Sequence, residues 1–243
     1  MTNCKKGHLH PITQMIDKIN SIFFALGFEV ADGPEMESEY YNFDALNIPK
    51  NHPARDMQDT FWVKDKKDIL MRTHTSNVQI HYMENNEPPL RVIVPGKVFR
   101  NEATDATHET QFYQLEGFMV DEVTTLGTLK AVLKNFLEKF FNKKIDIRFR
   151  PSFFSFVEPG IEVDISCFKC GGRGCSICKN SGFIEVLGAG MIHPNVLKNV
   201  KINSEKYQGF AFGMGIDRLG MLKYGIDDAR LFYNGDLRFV QQF

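Results

Sequence analysis

Residues 97–121 have the sequence KVFRNEATDATHETQFYQLEGFMVD, which predicts two strands joined by a polar loop. Side chains alternate between the two faces of a strand. One face of the second strand therefore carries an aromatic ring, an amide and a carboxylate, from Phe112, Gln114 and Glu116. Arg100 and Glu102 share a face of the first strand. An antiparallel hairpin would bring all five together, either as a binding site or as a solvated sheet face with a structural ion pair.

Helical patterns flank this hairpin at uneven spacing. Over residues 12–26 the apolar positions recur at steps of three and four, between Pro11 and Gly27, which predicts an amphipathic helix. Similar spacing predicts helices over residues 126–141 and 216–224. Short strand-like runs occupy residues 28–30, 69–72, 91–94, 98–102, 145–149, 161–165 and 183–187. Uneven helices do not fit a parallel βαβ array, so we predict an α+β fold with a mostly antiparallel sheet flanked by helices.

The composition excludes several classes of protein. The chain has 243 residues, of which 43% are hydrophobic and 24% charged, values typical of a globular domain rather than a disordered or fibrous chain. We find no linker and predict one domain over residues 1–243. With a net charge of -1, the chain has no overall positive charge that would attract nucleic acid. A polyanion would therefore need a local basic patch or a partner chain to bind. The chain shows no apolar run long enough for a membrane span and no secretory signal, and we expect a cytoplasmic protein.

A glycine-rich segment near the C-terminus, GFAFGMGIDRLGML over residues 209–222, places a predicted strand directly before a helix. Gly213 and Gly215 allow a ligand to approach the backbone, and the start of a helix favours anions. An ordinary tight strand-to-helix turn would have the same sequence pattern. Arg218 lies in the first turns of this helix, and with Arg100 it suggests a pair of arginines around a polyphosphate.

Four of the five cysteines form two CxxC pairs within residues 167–178, namely Cys167 with Cys170 and Cys175 with Cys178. This pattern fits a structural Cys₄ zinc site, although the four residues between the pairs are fewer than in a usual zinc ribbon. Free thiols and a redox or iron–sulfur role stay open. Because the cluster falls between two predicted strands, we expect a hairpin insert that stabilises its loop and takes no part in the chemistry of the site.

These motifs carry a resemblance to a known family. Residues 99–102, FRNE, with Phe112 downstream, resemble motif 2 of the class II aminoacyl-tRNA synthetases, and residues 213–218, GMGIDR, resemble motif 3. Further stretches in the same order resemble the α subunit of bacterial phenylalanyl-tRNA synthetase: GHLHPIT (7–13), YNFDALNIPKNHPARDMQDTFW (41–62), RTHTSNVQ (72–79), FFSFVEPG (153–160) and LGAGMIHPNVL (187–197). The resemblance extends from about residue 7 to residue 243 and implies the class II catalytic fold.

For ATP, the resemblance implies five binding residues. Arg100 is implied to contact the α-phosphate and Arg218 the outer phosphates, while Phe112 stacks on the adenine and Glu102 and His108 lie nearby. The implied reaction is the ligation of phenylalanine to tRNA(Phe): ATP activates phenylalanine to phenylalanyl adenylate, and the phenylalanyl group then passes to the terminal adenosine. No covalent enzyme nucleophile is needed, so the physical demand is positioning and charge neutralisation.

For phenylalanine, the resemblance implies an apolar slot with polar groups at its mouth. Phe154 and Phe156 are expected on one face of a strand, edge-on to the substrate ring, with Ala211 as the far wall. The remaining implied contacts of the amino acid are His74, Ser76, Gln79, Gln114, Glu116 and Gly213. Taken alone, His74 would be interpreted as a structural histidine. Mg²⁺ is expected on the phosphates, with Glu158 as the protein carboxylate.

The resemblance also implies partners. The family assembles α with a β subunit as an (αβ)₂ heterotetramer, and residues 12–26 with 28–34 are expected at the subunit interface. Relatives commonly begin with a coiled-coil arm that contacts tRNA, which we expect to be absent here. We therefore expect tRNA binding to fall to a larger β subunit or to another protein. Two alternatives stay open: a stand-alone class II paralogue that activates an amino acid without charging tRNA, and a non-catalytic zinc-containing interaction module.

Overall fold

A seven-stranded sheet organises the fold in the computed structural model, which describes residues 7–55 and 59–243. From one edge to the other, its strands are β1 (Glu29–Val30), β4 (Leu90–Phe99), β5 (Gln111–Asp121), β9 (Gln208–Gly215), β8 (Phe183–Ile192), β7 (Val157–Ser166) and β6 (Ile147–Phe154). β1 runs parallel to β4, and the other neighbouring pairs are antiparallel. A separate antiparallel pair joins β2 (Met36–Ser38) to β3 (Ile69–Met71). The predicted α+β fold with a mostly antiparallel sheet is confirmed.

Helices flank the sheet, as the periodicity predicts. They are α1 (Pro11–Phe24), α2 (Glu39–Asn42), α3 (Ser76–Asn85), α4 (Leu126–Phe141), α5 (Pro194–Asn199), α6 (Ile216–Tyr224) and α7 (Leu237–Val240). Short 3₁₀ turns lie at Asp44–Leu46, Pro53–Arg55 and Ala229–Phe232. Both α4 and α6 occupy their predicted ranges. Among the described residues, none of the helices combines the length and the hydrophobicity that crossing a lipid bilayer requires.

The ends of the long helices follow from capping residues. The ring of His10 accepts a hydrogen bond from the amide of Ile12 at 3.2 Å, which satisfies one free N–H at the start of α1. At the start of α4, Thr125 and Thr128 form a reciprocal capping box. α4 ends at Phe141, and the next residue, Asn142, has a φ of 56° in the left-handed region that terminates helices.

The two faces of the sheet have different roles because strand side chains alternate. On β9, Phe210, Phe212 and Met214 join the buried core that α1, α4 and α6 cover. The intervening Ala211 and Gly213 face the opposite side, where they are paired in register with residues 118 and 116 of β5. One face of the sheet therefore packs against the long helices α1, α4 and α6. The other face is covered in part by α3 and α5, and small residues such as Ala211 and Gly213 leave room for a site there.

β4 differs from the prediction of two short runs. It continues through Pro95 and Gly96 and ends at Phe99, so Arg100 and Glu102 lie in the following loop rather than on a strand face. Proline is tolerated at position 95 because β1 pairs only with residues 92 and 93, which leaves β4 as an edge strand further along. Gly96 is needed because a Cβ there would come 2.5 Å from a guanidinium nitrogen of the buried Arg72.

Candidate active site

Two cavities meet across a shared wall at the centre of the sheet. The larger has a volume of about 1300 Å³, and the smaller has a volume of about 430 Å³. The residues that line both cavities are Arg100, Glu185, Gly188 and Gly213. The two glycines are paired in register on β8 and β9, so the wall between the cavities has little side-chain bulk. Two ligands, one in each cavity, would therefore meet beside Arg100 and Glu185.

The larger cavity contains the five residues that the sequence assigns to ATP: Arg100, Glu102, His108, Phe112 and Arg218. Arg100 is held at two points, because its Nε donates to the carbonyl of Thr73 at 3.1 Å and its guanidinium carbon lies 5.0 Å from the Phe112 ring centroid. Its Nη1 is 3.9 Å from a carboxylate oxygen of Glu102. The arrangement presents a permanent positive charge in a restricted orientation.

The loop after Arg100 is ordered by local hydrogen bonds. Asp105 accepts hydrogen bonds from the amides of Thr107 and His108, and the His108 Nδ1 lies 3.0 Å from each of its carboxylate oxygens. The Thr107 amide, then the His108 and Thr107 side chains, lower the pKa of Asp105 well below its usual range. The Ala229 amide donates to the carbonyl of Ala106 at 2.8 Å, which ties the loop to the C-terminal segment.

A positioning contact that the sequence analysis missed links the two arginine-bearing segments. Asp217, the second residue of α6, accepts a hydrogen bond from the amide of Tyr113 at 2.9 Å and another from the hydroxyl of Tyr233. Burial raises the pKa of Asp217, and these hydrogen bonds oppose that rise. The carboxylate fixes the start of α6 against β5, and with it the base of the exposed side chain of Arg218. The sequence signal was present, as Asp217 adjoins Arg218 in GMGIDR.

The smaller cavity contains eight of the nine residues that the sequence assigns to phenylalanine. The lining residues among them are His74, Ser76, Gln114, Glu116, Phe154, Phe156, Ala211 and Gly213. The exception is Gln79, which lies on α3 three positions after Ser76, is buried and does not line the cavity. Gln79 lies about one helical turn further along α3 than Ser76, and this turn carries it away from the cavity, which only the first residue of α3 lines.

Glu116 is the buried carboxylate of the smaller cavity. Desolvation raises its pKa to about 7, although hydrogen bonds from Ser76 and Gln114 oppose the rise. The Gln114 Nε2 donates to Glu116 at 3.2 Å. Gly213 leaves room for this pair, because a Cβ there would lie 3.2 Å from Gln114 Nε2 and 3.4 Å from Glu116 Oε2. A cationic ligand group would convert this carboxyl to its anionic form.

His74 is neutral in this setting. Burial lowers its pKa to about 3, and the charge of Arg100 adds to the effect. Neither ring nitrogen makes a well-formed hydrogen bond within the described part of the chain. Buried polar atoms are rarely left in that state. Since the ring lines the smaller cavity, its nitrogens are suited to a polar ligand group.

The prediction that Phe154 and Phe156 share a strand face is wrong. Phe154 is the last residue of β6, Ser155 and Phe156 form the turn, and Val157 begins β7. The chain reverses direction in this tight hairpin turn, so one ring lies at the end of a strand and the other lies in the turn. The rings still stack, with centroids 5.9 Å apart and planes inclined by 28°, and both line the smaller cavity.

A buried arginine, Arg55, supports one wall of the smaller cavity. It lies within the segment YNFDALNIPKNHPARDMQDTFW, but no feature of the sequence predicted this role. Arg55 forms salt bridges of 2.8 Å with both Glu39 and Asp44, and it also donates to the carbonyl of Ile48. Its guanidinium carbon lies 4.8 Å from the centroid of the Phe43 ring. Phe43 and Ile48 line the cavity, so Arg55 holds this wall in place.

Glu158, the predicted magnesium ligand, lines neither cavity. Its side chain is 74% exposed and lies 3.3 Å from the Nε2 of His193. Glu185 instead lines both cavities, where it receives a hydrogen bond of 3.2 Å from Arg150. The position of Glu158 gives its assignment no support, and that assignment stays a prediction.

The four cysteines come together at the turn between β7 and β8. All four sulfur atoms lie within 4.8 Å of one another. Three Sγ–Sγ distances are 3.8 Å for Cys167–Cys175, 3.8 Å for Cys170–Cys178 and 3.7 Å for Cys175–Cys178. A tetrahedral zinc site with Zn–S bonds of about 2.3 Å has edges of about 3.8 Å. The donor set therefore fits zinc.

Backbone amides point at these sulfur atoms. The amide of Gly174 donates to Cys170 Sγ at 3.2 Å, and that of Cys175 donates to Cys178 Sγ at 3.1 Å. Although desolvation opposes it, hydrogen bonding from Cys175 and Gly182 lowers the pKa of Cys178 to about 7. Burial raises the pKa of Cys167 to about 11. Five residues of this segment line the larger cavity: Cys167, Phe168, Lys169, Ile177 and Lys179. That the segment stabilises its loop and takes no part in the chemistry stays a prediction.

Comparisons with known proteins identify the family and the fold. The sequence model of the family described as tRNA synthetases class II core domain (F) matches residues 1–243. The phenylalanine–tRNA ligase alpha subunit of Caldanaerobacter subterraneus subsp. tengcongensis is 57% identical over 239 residues, covering 98% of this chain and 70% of that protein. Its counterpart in Anoxybacillus flavithermus is 56% identical over 241 residues, with the same coverage of 98% and 70%. The crystal structure of pyrrolysyl-tRNA synthetase from Desulfitobacterium hafniense has a TM-score of 0.68 at 16% identity, covering 92% of this chain and 73% of that one, and shares the fold.

Proposed function

The chain belongs to the class II tRNA synthetase core family, among the phenylalanine–tRNA ligase alpha subunits, and from this premise we propose that its two adjoining cavities bind phenylalanine and ATP. The observation that carries the proposal is that Arg100 lines both cavities. Adenylation requires a carboxylate oxygen and the α-phosphorus to meet where negative charge is neutralised. A fixed guanidinium on the shared wall meets that requirement.

The proposed reaction is an in-line displacement without an enzyme nucleophile. A carboxylate oxygen of phenylalanine attacks the α-phosphorus, the bond from that phosphorus to the bridging oxygen breaks, and pyrophosphate leaves with that oxygen. In the second step, a hydroxyl oxygen of the terminal adenosine of tRNA(Phe) attacks the carbonyl carbon, the bond from that carbon to the phosphate oxygen breaks, and AMP leaves with that oxygen while the hydroxyl proton passes to its phosphate or to solvent. The contribution of the chain is to hold the reactants in line and to stabilise charge.

Phenylalanine is proposed to occupy the smaller cavity with its ring between the Phe154–Phe156 pair and Ala211. Edge contacts between aromatic rings contribute about 0.5–1.5 kcal/mol beyond burial. The ammonium group would lie at Glu116 and Gln114. There it would form an ion pair with the Glu116 carboxylate, which would offset the cost of desolvating that carboxylate. His74, held neutral, and Ser76 would bind the remaining polar atoms.

ATP is proposed to occupy the larger cavity, with Phe112 stacked on the adenine, Arg218 at the outer phosphates, and Glu102 and His108 beside them. A bound Mg²⁺ would supply neutralisation of the phosphate charge. Hard oxygen donors suit this ion. Of the described carboxylates, Glu185 is the one that lines both cavities, and we propose it for the ion in preference to the predicted Glu158.

The proposed partners are tRNA(Phe) and a β subunit, in an (αβ)₂ heterotetramer. Support for the interface comes from large apolar side chains that are exposed on or beside α1 and β1: Phe24 at 79%, Val30 at 51% and Met36 at 47%. These belong to or adjoin the segments predicted to contact another subunit. Such exposure is typical of surfaces that a partner covers.

Phenylalanine-dependent ATP–pyrophosphate exchange tests the proposal, with this chain alone and with a β subunit of a bacterial relative added. We expect exchange with the β subunit, together with charging of tRNA(Phe). Exchange without charging would support the stand-alone paralogue. No exchange in either mixture, with the fold intact by circular dichroism, would overturn the proposed function.

We also propose that Cys167, Cys170, Cys175 and Cys178 hold one structural zinc ion. The test is the metal content of protein purified without chelator, measured by mass spectrometry, for the wild-type chain and for Cys170→Ser. We expect about one zinc per wild-type chain and less than a tenth of that in the variant. Cys4→Ser is the matched control and should keep its zinc. A wild-type chain that contains no zinc even after zinc is supplied would contradict the proposal.

A further inference from the structure

The cysteine tip (residues 167–182) is part of the wall of the proposed nucleotide cavity. Phe168, Lys169, Ile177 and Lys179 from the tip line this cavity together with Arg218. The two lysines bring positive charge to a wall that otherwise belongs to the strands and to α6. The function of the family does not by itself explain why a metal-binding turn should carry lysines there.

The tip is packed firmly against the body of the protein. The cysteines and Ile184 form a small buried cluster against which Leu222 of α6 packs. The Phe168 ring lies 4.7 Å from the Phe141 ring, and the Nζ of Lys143 lies 3.4 Å from the Phe168 centroid. Since Leu222 follows Arg218 by one helical turn, the tip and the arginine share one helix as support.

The sulfur cluster determines where the lysines lie. Lys169 directly precedes Cys170, and Lys179 directly follows Cys178. Lys179 has a φ of 48°, in the left-handed region that a non-glycine residue adopts only when its surroundings impose it. A Cβ on Gly182 would come 2.3 Å from the carbonyl oxygen of Gly172, so the turn closes tightly on itself. A metal that joins the four sulfur atoms would therefore orient both lysines.

Both lysines are free to bind an anion. Both are exposed, and no ion pair within residues 7–55 and 59–243 involves either ammonium group. Nearby Arg100 and Arg218 already make this cavity suitable for a polyphosphate. A nucleoside triphosphate carries enough negative charge for further cationic partners, and lysine is a common phosphate ligand.

We propose that Lys169 and Lys179, oriented by the metal-loaded cysteine tip, bind the outer phosphates of ATP beside Arg218. This inference rests on the proposed function of the larger cavity and adds two nucleotide-binding residues to it. It also gives the metal a role in the active site, because losing the ion would displace both lysines from the phosphates while leaving the phenylalanine cavity intact.

The test compares Lys169→Ala, Lys179→Ala and the double variant with the wild-type chain, each assembled with the β subunit, in ATP–pyrophosphate exchange. We expect the KM for ATP to rise by about tenfold in the double variant, as for the loss of charge-assisted hydrogen bonds at a solvated site, with an unchanged KM for phenylalanine. Lys134→Ala, an exposed lysine of α4 away from both cavities, is the matched control and should match the wild type.

The role of the metal has its own readout. Binding of a non-hydrolysable ATP analogue, measured by calorimetry, should weaken about tenfold after the metal is removed by a chelator, and it should recover when zinc is restored. In the double lysine variant the same treatment should have little further effect, because the lysines are the route by which the tip reaches the nucleotide. Zinc content should stay unchanged in the lysine variants.

Three outcomes overturn the inference. An unchanged KM for ATP in the double variant would show that the lysines do not bind the nucleotide. If chelation weakened binding of the ATP analogue equally in the wild type and the double variant, the metal would not act through the lysines. A higher KM for tRNA(Phe) with normal exchange would assign the lysines to the tRNA acceptor end instead. Absence of exchange in the wild-type complex would reject the proposed function itself, which is a separate failure.

Discussion

The guanidinium carbon of Arg100 lies 5.0 Å from the centroid of the Phe112 ring. The two residues lie on either side of the loop between β4 and β5, and the pairing of Val98 with Phe112 places them together. The ring supports one face of the guanidinium while the carbonyl of Thr73 accepts from its Nε. Arg100 is thus oriented before a ligand arrives, and its position on the wall between the cavities makes it the best single target for mutation.

Replacing Arg100 with lysine should reduce kcat for pyrophosphate exchange by at least about 100-fold, because lysine keeps the charge but loses the planar group that contacts both Thr73 and Phe112. Single-turnover adenylate formation measures the effect. Arg238→Lys, at an exposed arginine that forms an ion pair with Asp236, is the control and should leave the rate unchanged. A rate within threefold of wild type for Arg100→Lys would contradict the assigned role.

Replacing Ala211 with glycine should widen the smaller cavity and admit phenylalanine analogues with a para substituent. Ala211 is 3% exposed and lies between Gly190 and Phe118 on the neighbouring strands, so its methyl group has little room to move. One methyl group in such a pocket changes kcat/KM by roughly 10-fold or more. Exchange with para-chlorophenylalanine measures the gain. Ala211→Val should act in the opposite sense and reduce exchange with phenylalanine.

Glu116 should make phenylalanine binding depend on pH. Its pKa is raised to about 7 by burial, so the carboxyl of the free enzyme is protonated below that pH and ionised above it. An ammonium group pairs with the ionised form, so kcat/KM for phenylalanine should rise as the pH increases through about 7. Glu116→Gln should lower kcat/KM and remove this rise. Glu87→Gln, an exposed carboxylate on the surface, should retain the wild-type profile.

Glu116 should also make the stability of the fold depend on pH, but in the opposite direction: its contribution to stability should fall as the pH rises, whereas kcat/KM for phenylalanine should rise. A carboxyl whose pKa is higher in the folded chain than in the unfolded chain favours the fold while it stays protonated, and this contribution disappears as the pH rises through about 7. Glu116→Gln should therefore raise the melting temperature more at pH 8 than at pH 5. An equal change at both values would mean that the carboxyl is not desolvated.

Replacing Arg55 with methionine should destabilise the wall formed by Phe43 and Ile48. The substitution leaves Glu39 and Asp44 without their partner, and breaking a buried ion pair costs about 3–5 kcal/mol, with the lower value expected here because both carboxylates are partly exposed. Chemical denaturation measures the loss. Arg230→Met, which breaks an exposed pair with Asp228, should cost less than about 1 kcal/mol.

The effect of Arg55 on catalysis should separate from its effect on folding. Under conditions where the variant is fully folded, the KM for phenylalanine should rise while the KM for ATP stays the same, because only the smaller cavity loses a wall. A parallel change in both constants would indicate general loosening of the structure instead of a local effect.

Glu185 and Glu158 can be distinguished through magnesium. Glu185→Gln should raise the Mg²⁺ concentration that supports half-maximal exchange by about tenfold, since a carboxylate on the shared wall is lost. Glu158→Gln should have little effect in the chain as folded here, because that side chain points into solvent beside His193. The reverse result would restore Glu158 as the metal ligand and would require another chain to enclose it.

Local periodicity was sufficient to predict several of the secondary-structure elements. Residues 126–141 and 216–224 form helices over their predicted ranges, because side-chain spacing and capping signals lie within a few positions of one another. The alternation in QFYQLEG likewise placed Gln114 and Glu116 on one face of β5. The same reasoning failed at Phe154 and Phe156, where a turn falls between the two rings and a local pattern of alternating aromatics cannot reveal it.

The α+β class and the long helices could be predicted from residue spacing, and the ordered motifs indicated the residues proposed to bind ATP and phenylalanine. Only folding brings Arg100 and Glu185 to both cavities, Arg55 to one wall of the smaller cavity, and the cysteine tip to the larger cavity. These relationships join residues from distant parts of the chain, as does the hydrogen bond between Tyr113 and Asp217, which are 104 positions apart. They depend on how strands are ordered in the sheet, and spacing along the chain does not encode that order.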